Sequence, residues 1–596
     1  MKHQLIEDFV KLRNYYSLQQ DIPAHSVTME DISHLLFCTP RNAKLILNKM
    51  IEQNWITFIS GRGRGNKSTL QFHISVDEII LSEGKKLIQE GDITEGLQLI
   101  SQYGSSHAKK EIANWVNHFF GYERQGSSSD FTDIIRLPVF RTINSLIPSK
   151  AYYDFDAHLI KQVYNTLVTY NHDTDFVTES LAHYWETNND MKTWNFYLRK
   201  GVFFHHGKEF DAFDVQFTVN ELFQNGFPQK WLIENMNSIT VIDKYTIQFH
   251  LKKKNKLFLK YLSFPTFSII PADFLDYHET NLPPGTGPYM VKKYNPNACI
   301  LEAFPTYFEG RAHIDKIEIS NMPKEYMTLL ESEVIFVNTG ETQYRKNPSW
   351  NEVEDIYAGS TLFTFNLNKI NAPQNDRHFR EAIHKIMDRE KMIEDLGEPR
   401  IYPSCGFDIH FSKMHYQKEQ IDPSEICSLL EKCHYNKEEI LLYTYDRHEV
   451  DALWIKEQCA KYGIHFSVVI IGWSEMLEKE QMQLADCILF EAVWGEDELS
   501  KIEQYKSDYS FIRNHWPKEK IPYLDLKMEE ILLEENKTIR EHQFNEITQL
   551  IHEEIMAVFL VHKTIESTFH PSIQGVEFNG RGHIDFKKIW KKNESI

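Results

Sequence analysis

The sequence is short of the features that would place the chain in a membrane or in an oxidising compartment. Its seven Cys are an odd number scattered without a CxxC pair, which is typical of a reduced, intracellular protein. Apolar runs such as 466–473 and 555–561 end far short of the roughly 18 residues that a membrane span needs. Residues 1–10 carry mixed charge and no apolar core, so we expect no secretory signal. These absences predict a cytoplasmic protein without a membrane partner.

The sequence also lacks the motifs of the common catalytic and metal centres. It contains no HExxH, no G-x-S-x-G and no Cys/His ladder, and no pair of carboxylates is singled out for acid–base chemistry. His205 and His206 invite a metal interpretation, but adjacent side chains on an extended segment point to opposite sides and rarely hold one ion. Cys427 and Cys433 are spaced too loosely for a zinc site. We therefore expect no enzyme activity, no cofactor and no metal.

What is present is an ordinary globular composition with an uneven distribution of charge. Hydrophobic residues make up 42% and charged residues 25% of the 596 residues, which is enough for several cores and about three to five domains. The net charge is −20, yet residues 1–75 hold nine Lys and Arg against six Asp and Glu. A basic head on an acidic body confines any contact with nucleic acid to the N-terminal end.

The head has the pattern of two short helices in quick succession. Residues 28–31 resemble a capping box that starts one helix, and Thr39 followed by Pro40 starts the next. Two helices joined by three or four residues are typical of a helix-turn-helix, whose second helix lies in the major groove of DNA. The second helix is predicted over 41–53. It leaves four side chains available for DNA, namely Arg41, Asn42, Lys44 and Asn48.

Two strands are predicted next, over 55–59 and 69–74. The turn between them has three glycines and three cations, Arg62, Arg64 and Lys67, which can reach phosphates or a minor groove. A nucleotide-binding loop is rejected because the spacing is G-x-G-x-G and a strand follows it. The order predicts a winged helix-turn-helix (α+β) that binds double-stranded DNA. We place it, with a short helical extension, at 1–105, and a polar linker at 106–130.

From residue 131 onward strands and helices alternate, which favours an α/β body. Four stretches are more specific than this alternation, and they lie at 198–215, 285–291, 305–317 and 366–390, the second of which begins GTGPY. In this order they resemble the motifs of the extracellular solute-binding proteins of family 5, the oligopeptide-binding type. The resemblance implies a two-lobed, periplasmic-binding-protein-like domain at 131–596. Lobe 1 would hold about 131–355 and 561–596, and lobe 2 about 356–560.

With the winged helix in front of such a body, the chain resembles the SgrR-type transcriptional regulators. That resemblance implies a cytoplasmic regulator that binds promoter DNA and senses a small solute, and it allows RNA polymerase as a further partner. The stretch 489–497 is similar to the W-x-x-D region of peptide-binding members. This likeness implies that Trp494 walls the cleft and that Asp497 pairs with a ligand ammonium. The Tyr and Asp-Pro that usually follow are missing, which argues against a peptide. The family resemblance permits peptides, sugars, sugar phosphates or metal chelates as the solute.

Two other classes stay open at this point. The first is the solute-binding component of an ABC importer for peptides or oligosaccharides, which would be found in the cell envelope. The second is a cytosolic hydrolase on the same scaffold, which would need a nucleophile constellation that the sequence does not display. Cell fractionation tests the first class, and turnover of a peptide and glycoside panel tests the second.

Overall fold

The computed structural model of the chain is mixed helix and sheet. It describes residues 2–17, 24–61, 67–127, 130–140, 142–150, 154–171, 174–224, 227, 229–274, 282–323, 326, 336–338, 351–356, 359–418, 422–433, 435–493, 498–577 and 583–592.

The N-terminal head has the element order of a winged helix. Its elements are α1 (Lys2–Ser17), β1 (His25–Val27), α2 (Met29–Leu35), α3 (Pro40–Glu52), β2 (Ile56–Ile59) and β3 (Ser68–Phe72). The three strands form a sheet of order β1-β3-β2 in which both pairings are antiparallel. The helix-turn-helix and the hairpin predicted from the sequence are both present, in the predicted order.

Both helices of the helix-turn-helix begin where the sequence signals predict. The Thr28 hydroxyl accepts from the Asp31 N–H at 3.1 Å, and the Asp31 carboxylate accepts from the Thr28 N–H at 3.2 Å, which is a complete capping box. Thr39 caps α3 by accepting from the N–H of Asn42 at 3.3 Å. Pro40 fills the first helical position, where a missing N–H loses no helical hydrogen bond. Two strong start signals so close together leave room for only a short turn.

The segment between head and body is folded, and this contradicts the linker predicted for 106–130. After the winged helix the chain forms α4 (Val76–Gln89), α5 (Ile93–Tyr103), α6 (Ser106–Phe119), β4 (Gly121–Ser127) and β5 (Asp130–Val139). β4 pairs antiparallel with β5 along its whole length. The polar residues that suggested a linker instead belong to an edge strand, which tolerates charge because it faces water. Arg124, for example, forms a 2.7 Å ion pair with Asp133 of β5.

In the described residues, the first part of the body contains three sheets, with five, four and two strands. Its further elements are α7 (Asp154–Val163), β6 (Val168–Asn171), β7 (Phe176–Glu179), β8 (Ala182–Thr187), β9 (Thr193–Leu198), α8 (Ala212–Gln224), β10 (Met236–Asp243), β11 (Thr246–Leu251), α9 (Phe258–Leu262), β12 (Tyr289–Asn295), β13 (Ala298–Ala303) and β14 (Lys316–Asn321). The lobe-1 sheet has the order β12-β13-β14-β5-β4, so β4 forms its edge. The side sheet has the order β10-β11-β9-β8.

The second part of the body is built on a mixed sheet, in which four of the five strands run in the same direction. Its elements are β15 (Phe336–Asn338), β16 (Asn351–Ile356), β17 (Gly359–Phe365), α10 (Arg377–Ile386), α11 (Arg389–Leu396), β18 (Arg400–Pro403), α12 (Ile409–His415), α13 (Pro423–Lys432), β19 (Glu439–Thr444), α14 (Glu449–Ala460), β20 (His465–Ile470), α15 (Trp473–Met476), α16 (Lys479–Leu484), β21 (Cys487–Val493), α17 (Glu498–Lys506), α18 (Phe511–His515), α19 (Ile521–Leu533), α20 (Lys537–Glu553), β22 (Ala557–Phe559), β23 (Val561–Phe569), β24 (Ile573–Gln574) and β25 (Trp590–Lys591).

The lobe-2 sheet has the order β20-β19-β21-β17-β22. β19 runs parallel to both β20 and β21, whereas β17 is antiparallel to β21 and β22. The carboxyl ends of β19, β20, β21 and β22 therefore meet at one edge, which we call the lobe-2 edge. β22 continues into β23, which pairs with β15, β16 and β18. The residue bounds of the two lobes given above stay a prediction.

Candidate functional site

Helix α3 presents a polar, basic face to solvent and an apolar face to the head. Ala43, Leu47 and Met50, at helical spacings of four and three, are fully buried. The four DNA-contact residues predicted on this helix, Arg41, Asn42, Lys44 and Asn48, are all exposed. Within the part of the chain that the structure describes, neither Arg41 nor Lys44 forms an ion pair. Their charge is therefore free to meet an external anion.

The hairpin of the winged helix carries the remaining predicted DNA contacts. Lys67 is exposed immediately before β3. The base of the turn is held by the Gly61 N–H, which donates to the Ser68 hydroxyl at 3.3 Å. Arg62 and Arg64 lie outside the described residues.

Arg136 of β5 connects α6, which packs with the head in one apolar core, to the lobe-1 sheet. Its guanidinium lies 4.7 Å from the ring centroid of Phe119 and donates to the Phe119 carbonyl at 3.4 Å. It also forms a 2.6 Å ion pair with Glu318 of β14. The apolar core of the head includes Met322, which follows β14 and is buried. The head and the lobe-1 sheet are thus joined by β4, by the contacts of Arg136 with Phe119, and by a shared part of a core.

The GTGPY motif closes a tight turn against α7. A Cβ atom at Gly285 would lie 1.9 Å from the Val163 carbonyl oxygen, and one at Gly287 would lie 2.5 Å from the Val163 carbonyl carbon. Only glycine fits so close to another backbone. His205 secures the same turn, because its ring contacts the Gly287 carbonyl at 2.9 Å and the Gly285 N–H at 3.2 Å. Burial lowers the pKa of His205 to about 4.

His205 is thus a neutral, structural residue of that turn, and its neighbour makes a different contact. The ring of His206 lies 3.2 Å from the carboxylate of Asp273. Among the described residues, no group of three His, Cys, Asp or Glu side chains is placed to hold a metal ion. In the same residues, none of the helices is long and apolar enough to cross a bilayer.

The lobe-2 edge is lined by aromatic residues that directly follow the parallel strands. Tyr445 follows β19 and Trp473 begins α15 after β20, and their rings meet edge to face with centroids 4.9 Å apart. Next to Trp473, the Ser474 hydroxyl donates to Asn144 Oδ1 at 3.4 Å, and Asn144 precedes α7 beside the lobe-1 sheet. In open α/β sheets, ligands bind at the carboxyl ends of the strands. The edge therefore has the position of a ligand site and faces the other lobe.

A buried group of charges lies at the same edge. Asp451 of α14 accepts from Arg400 at 2.6 Å, from Lys563 at 2.8 Å and from His448, whose Nδ1 lies 3.1 Å away. Burial alone would raise the pKa of Asp451, but Lys563, His448 and Arg400 hold it well below its usual range. Burial, with Lys563 beside it, lowers the pKa of His448 to about 3, so this imidazole is neutral.

Glu491 of β21 is the second carboxylate of this group. Its Oε2 accepts from the Thr361 hydroxyl at 3.1 Å. Lys563 Nζ and His448 Nε2 both lie 3.9 Å from Oε2, which is too far for a hydrogen bond. Burial raises the pKa of Glu491 against the opposing charges of Lys563 and Arg447.

The sequence did not identify these charged residues as functional. One of them carried a usable signal, because Glu491 interrupts the otherwise apolar run 487–493. Buried charges are rare unless they are paired or functional, so such an interruption is informative. The two cleft residues that the sequence did predict, Trp494 and Asp497, lie outside the described residues.

A second charged group joins α9 and the start of β7 to helices α17 and α20. Lys260 of α9 forms ion pairs with Glu498 at 2.9 Å and with Asp175 at 2.7 Å. Arg540 donates to the same Glu498 carboxylate at 3.1 Å, and Lys537 pairs with Asp175 at 3.1 Å. Burial would raise the pKa of Glu498, but its bonds to Arg540 and Lys260 lower it. We call these five residues the ion-pair seam.

A winged helix fused to a two-lobed α/β body, with a candidate ligand edge at the carboxyl ends of the lobe-2 strands, defines a solute-binding protein with an added N-terminal head. The chain belongs to the bacterial extracellular solute-binding proteins, family 5, whose middle region matches residues 177–516. Residues 4–123 match the N-terminal domain of the sugar transport-related sRNA regulator family. The fold class and the resemblance to SgrR-type regulators are thereby confirmed. Neither family is one of enzymes.

Three known proteins show how far the likeness extends. Uncharacterized protein YhjP of Bacillus subtilis (strain 168) is 29% identical over 95% of this chain and 96% of its own length. The HTH-type transcriptional regulator SgrR of Salmonella typhi is 27% identical over 51% of this chain, and the match spans only about half (52%) of that regulator. The ABC transporter-associated periplasmic binding protein DppA from Helicobacter pylori, solved with the peptide STSA, superposes with a TM-score of 0.65 at 20% identity. It covers 77% of this chain and 98% of its own.

Proposed function

We propose that this protein is a cytoplasmic transcriptional regulator whose head binds double-stranded promoter DNA and whose body binds a small solute. The observation that carries the proposal is the division of α3 into a buried apolar face and an exposed basic face. A helix with this division in a helix-turn-helix is suited to the major groove. The SgrR regulators matched over half their length support the same assignment.

The exposed residues divide into two roles by their chemistry. Asn42 and Asn48 of α3 have amide groups that can form paired hydrogen bonds with adenine, and Arg41 and Lys44 can do so with guanine. Lys67, together with Arg62 and Arg64 of the hairpin turn, supplies charge for phosphates or a minor groove. The acidic body repels the phosphate backbone and so restricts the contact to the head.

The body binds its solute between the lobes, at the lobe-2 edge and together with the predicted wall residues Trp494 and Asp497. The head is attached to the lobe-1 sheet through β4 and through the contacts of Arg136 with Phe119. A solute that moves lobe 2 relative to lobe 1 therefore also moves lobe 2 relative to the head. A solute that binds one arrangement of the lobes more tightly than the other changes the affinity for DNA, and DNA changes the affinity for the solute by the same factor. RNA polymerase is the further partner through which such a change would act on transcription.

The first experiment is equilibrium binding of the full chain to a fluorescent duplex library, measured by anisotropy across salt concentrations. We expect binding at low salt and an affinity that falls steeply as salt rises, because phosphate contacts release counterions. Lys44→Ala is expected to weaken binding, whereas Lys432→Ala, an exposed helical lysine of the body, serves as the matched control. The absence of duplex binding by the wild-type chain at low salt would refute the regulator assignment.

A solute-binding component of an ABC importer is the second candidate, and the fold shared with transporter-associated proteins such as DppA favours it. The two candidates differ in location and in DNA binding. Fractionation of cells that express the full chain decides between them. A regulator is recovered with cytoplasmic markers and retains duplex affinity, whereas an importer component is recovered with the envelope and binds no duplex.

A further inference from the structure

The two carboxylates of the lobe-2 edge have unequal sets of partners. Asp451 receives three hydrogen-bond contacts, from Arg400, Lys563 and His448, at 2.6–3.1 Å. Glu491 accepts one hydrogen bond, from Thr361 to Oε2. Its other oxygen, Oε1, is buried and has no hydrogen-bond partner in the described part of the chain.

Neither Lys563 nor His448 donates a hydrogen bond to this second oxygen. The Lys563 ammonium is already engaged at 2.8 Å by Asp451 and lies 3.9 Å from the Glu491 carboxylate. The His448 imidazole is neutral and equally distant from Glu491. Glu491 is only 5% exposed, so bulk water does not compensate. Buried acceptors left without a donor are rare in folded proteins and costly to keep.

The position of Glu491 in the fold indicates that its carboxylate is placed for contact with a ligand. It lies two residues before the end of β21, at the edge where β19, β20 and β22 also end. The Tyr445 hydroxyl lies 3.4 Å from the Glu491 backbone nitrogen, and Tyr445 packs against Trp473. Ser474, the next residue, bonds across to Asn144 beside lobe 1. A half-satisfied acceptor thus lies beside an aromatic wall at the junction of the lobes.

We propose that the solute presents a hydrogen-bond donor, either a hydroxyl or an ammonium group, to Oε1 of Glu491. This inference rests on the proposed solute-binding function and narrows the class of solute. A carboxylate or phosphate group of the solute offers no donor to Oε1, so an anionic solute would have to turn that group away from β21. Sugars supply the donor as a hydroxyl, and peptides or amino sugars supply it as an ammonium.

The first test needs no solute. Glu491→Met removes a half-satisfied carboxylate and keeps an apolar side chain of similar length, so the apo chain should unfold at the same or a higher temperature than wild type. Asp451→Asn disturbs a fully paired carboxylate and should lower the unfolding temperature clearly. If Glu491→Met destabilises the chain as much as Asp451→Asn does, Glu491 is a structural residue and the proposal is overturned.

The second test measures binding of four probes to the full chain by calorimetry: D-glucose, D-glucosamine, glycylglycine and sulfate. We expect at least one of the three donor-bearing probes to bind wild type, and sulfate, which has no donor, to compete with none of them. For an ammonium donor, Glu491→Gln should weaken binding about tenfold or more, because the charge is lost. For a hydroxyl donor, Glu491→Gln should weaken it only a few-fold, because the amide oxygen still accepts. Glu491→Met should abolish either kind.

Glu439→Gln is the matched control, since Glu439 is exposed at the opposite end of the lobe-2 sheet. Equal binding of a probe to wild type and Glu491→Met overturns the proposal, as does the failure of all three donor-bearing probes to bind wild type. Failure of the regulator assignment is recognised separately, by the absence of duplex binding in the anisotropy experiment. The two results are independent, because no probe is present in that experiment.

Discussion

The α3 face of the head and the ion-pair seam of the body use their charged side chains in opposite ways. On α3, Arg41 and Lys44 are exposed and, among the described residues, have no carboxylate partner. In the seam, Lys260 and Arg540 are buried and share the carboxylate of Glu498. Charge in the head is available to another molecule, whereas charge in the seam is used to hold the chain together. Changes to the first should alter binding, and changes to the second should alter stability.

Acidification is the strongest way to separate the two regions. The pKa values of three buried histidines of the body are lowered, for His448 to about 3 and for His515 and His562 to about 4, in each case chiefly by burial. A lowered folded-state pKa means that the unfolded chain binds more protons between about pH 6.5 and pH 4. The contribution of the three neutral histidines to the free energy of unfolding is therefore fully present above pH 6.5. It is lost as the pH falls toward 4, by roughly 4 kcal/mol per pH unit for the three together.

Hydrogen exchange measured from pH 7 to pH 4.5, corrected for the intrinsic rates, checks this expectation. Peptides from the lobe-2 sheet should lose protection, whereas peptides from α3, which contains no histidine, should lose much less. Equal losses in both regions would show that head and body unfold as one unit, and the comparison between them would then fail.

Removal of the shared carboxylate of the seam should have the next largest effect. Glu498→Gln leaves Lys260 and Arg540 buried with less opposite charge, and breaking a buried pair in this way costs about 3–5 kcal/mol. Urea unfolding followed by hydrogen exchange in α9, α17 and α20 gives the measurement. Glu529→Gln is the matched control, because its ion pair with Lys253 is exposed and contributes little. Equal effects of the two substitutions would mean that the seam stabilises no more than a surface pair.

The head should respond in binding and not in stability. Lys67→Ala should weaken binding to all duplexes alike and reduce the slope of log affinity against log salt by about 1, because one phosphate contact is lost. Asn42→Ala should instead relax the preference for one base, by about 1–3 kcal/mol. Anisotropy titrations against a set of single-base duplex variants distinguish the two results. The opposite pattern would exchange the roles assigned to α3 and to the hairpin.

The head could be predicted from the sequence because its signals are local. Thr28 and Asp31 lie three residues apart, and Thr39 directly precedes Pro40, so each helix start is encoded within one turn. The same kind of local reading was misleading in the segment that follows the head. The polarity of 121–127 suggested a linker, because nothing within that stretch reveals that β5 pairs with it.

The body site could not be predicted in this way, since its residues come together only through the fold. Arg400, Asp451, Glu491 and Lys563 belong to four separate segments, and their contacts depend on the order of strands in the lobe-2 sheet. The family motifs fixed the fold class but not the site. The GTGPY turn, for instance, packs against Val163 and carries no group of the lobe-2 edge.

The smallest effect is expected at the turn between α2 and α3. Phe37 adopts a positive φ of 50°, where side chains with a Cβ are strained, and its ring is 90% exposed. Phe37→Gly relieves this strain and removes no buried contact, although glycine also gains freedom in the unfolded chain. We expect a net stabilisation of the head of about 0.5 kcal/mol, read from hydrogen exchange of α2 and α3. Glu52→Gly, at the end of α3, should destabilise the same helix. A loss of stability in Phe37→Gly would mean that the exposed ring stabilises the folded head. Exposed side chains of the head would then contribute to stability as well as to binding, which contradicts the comparison.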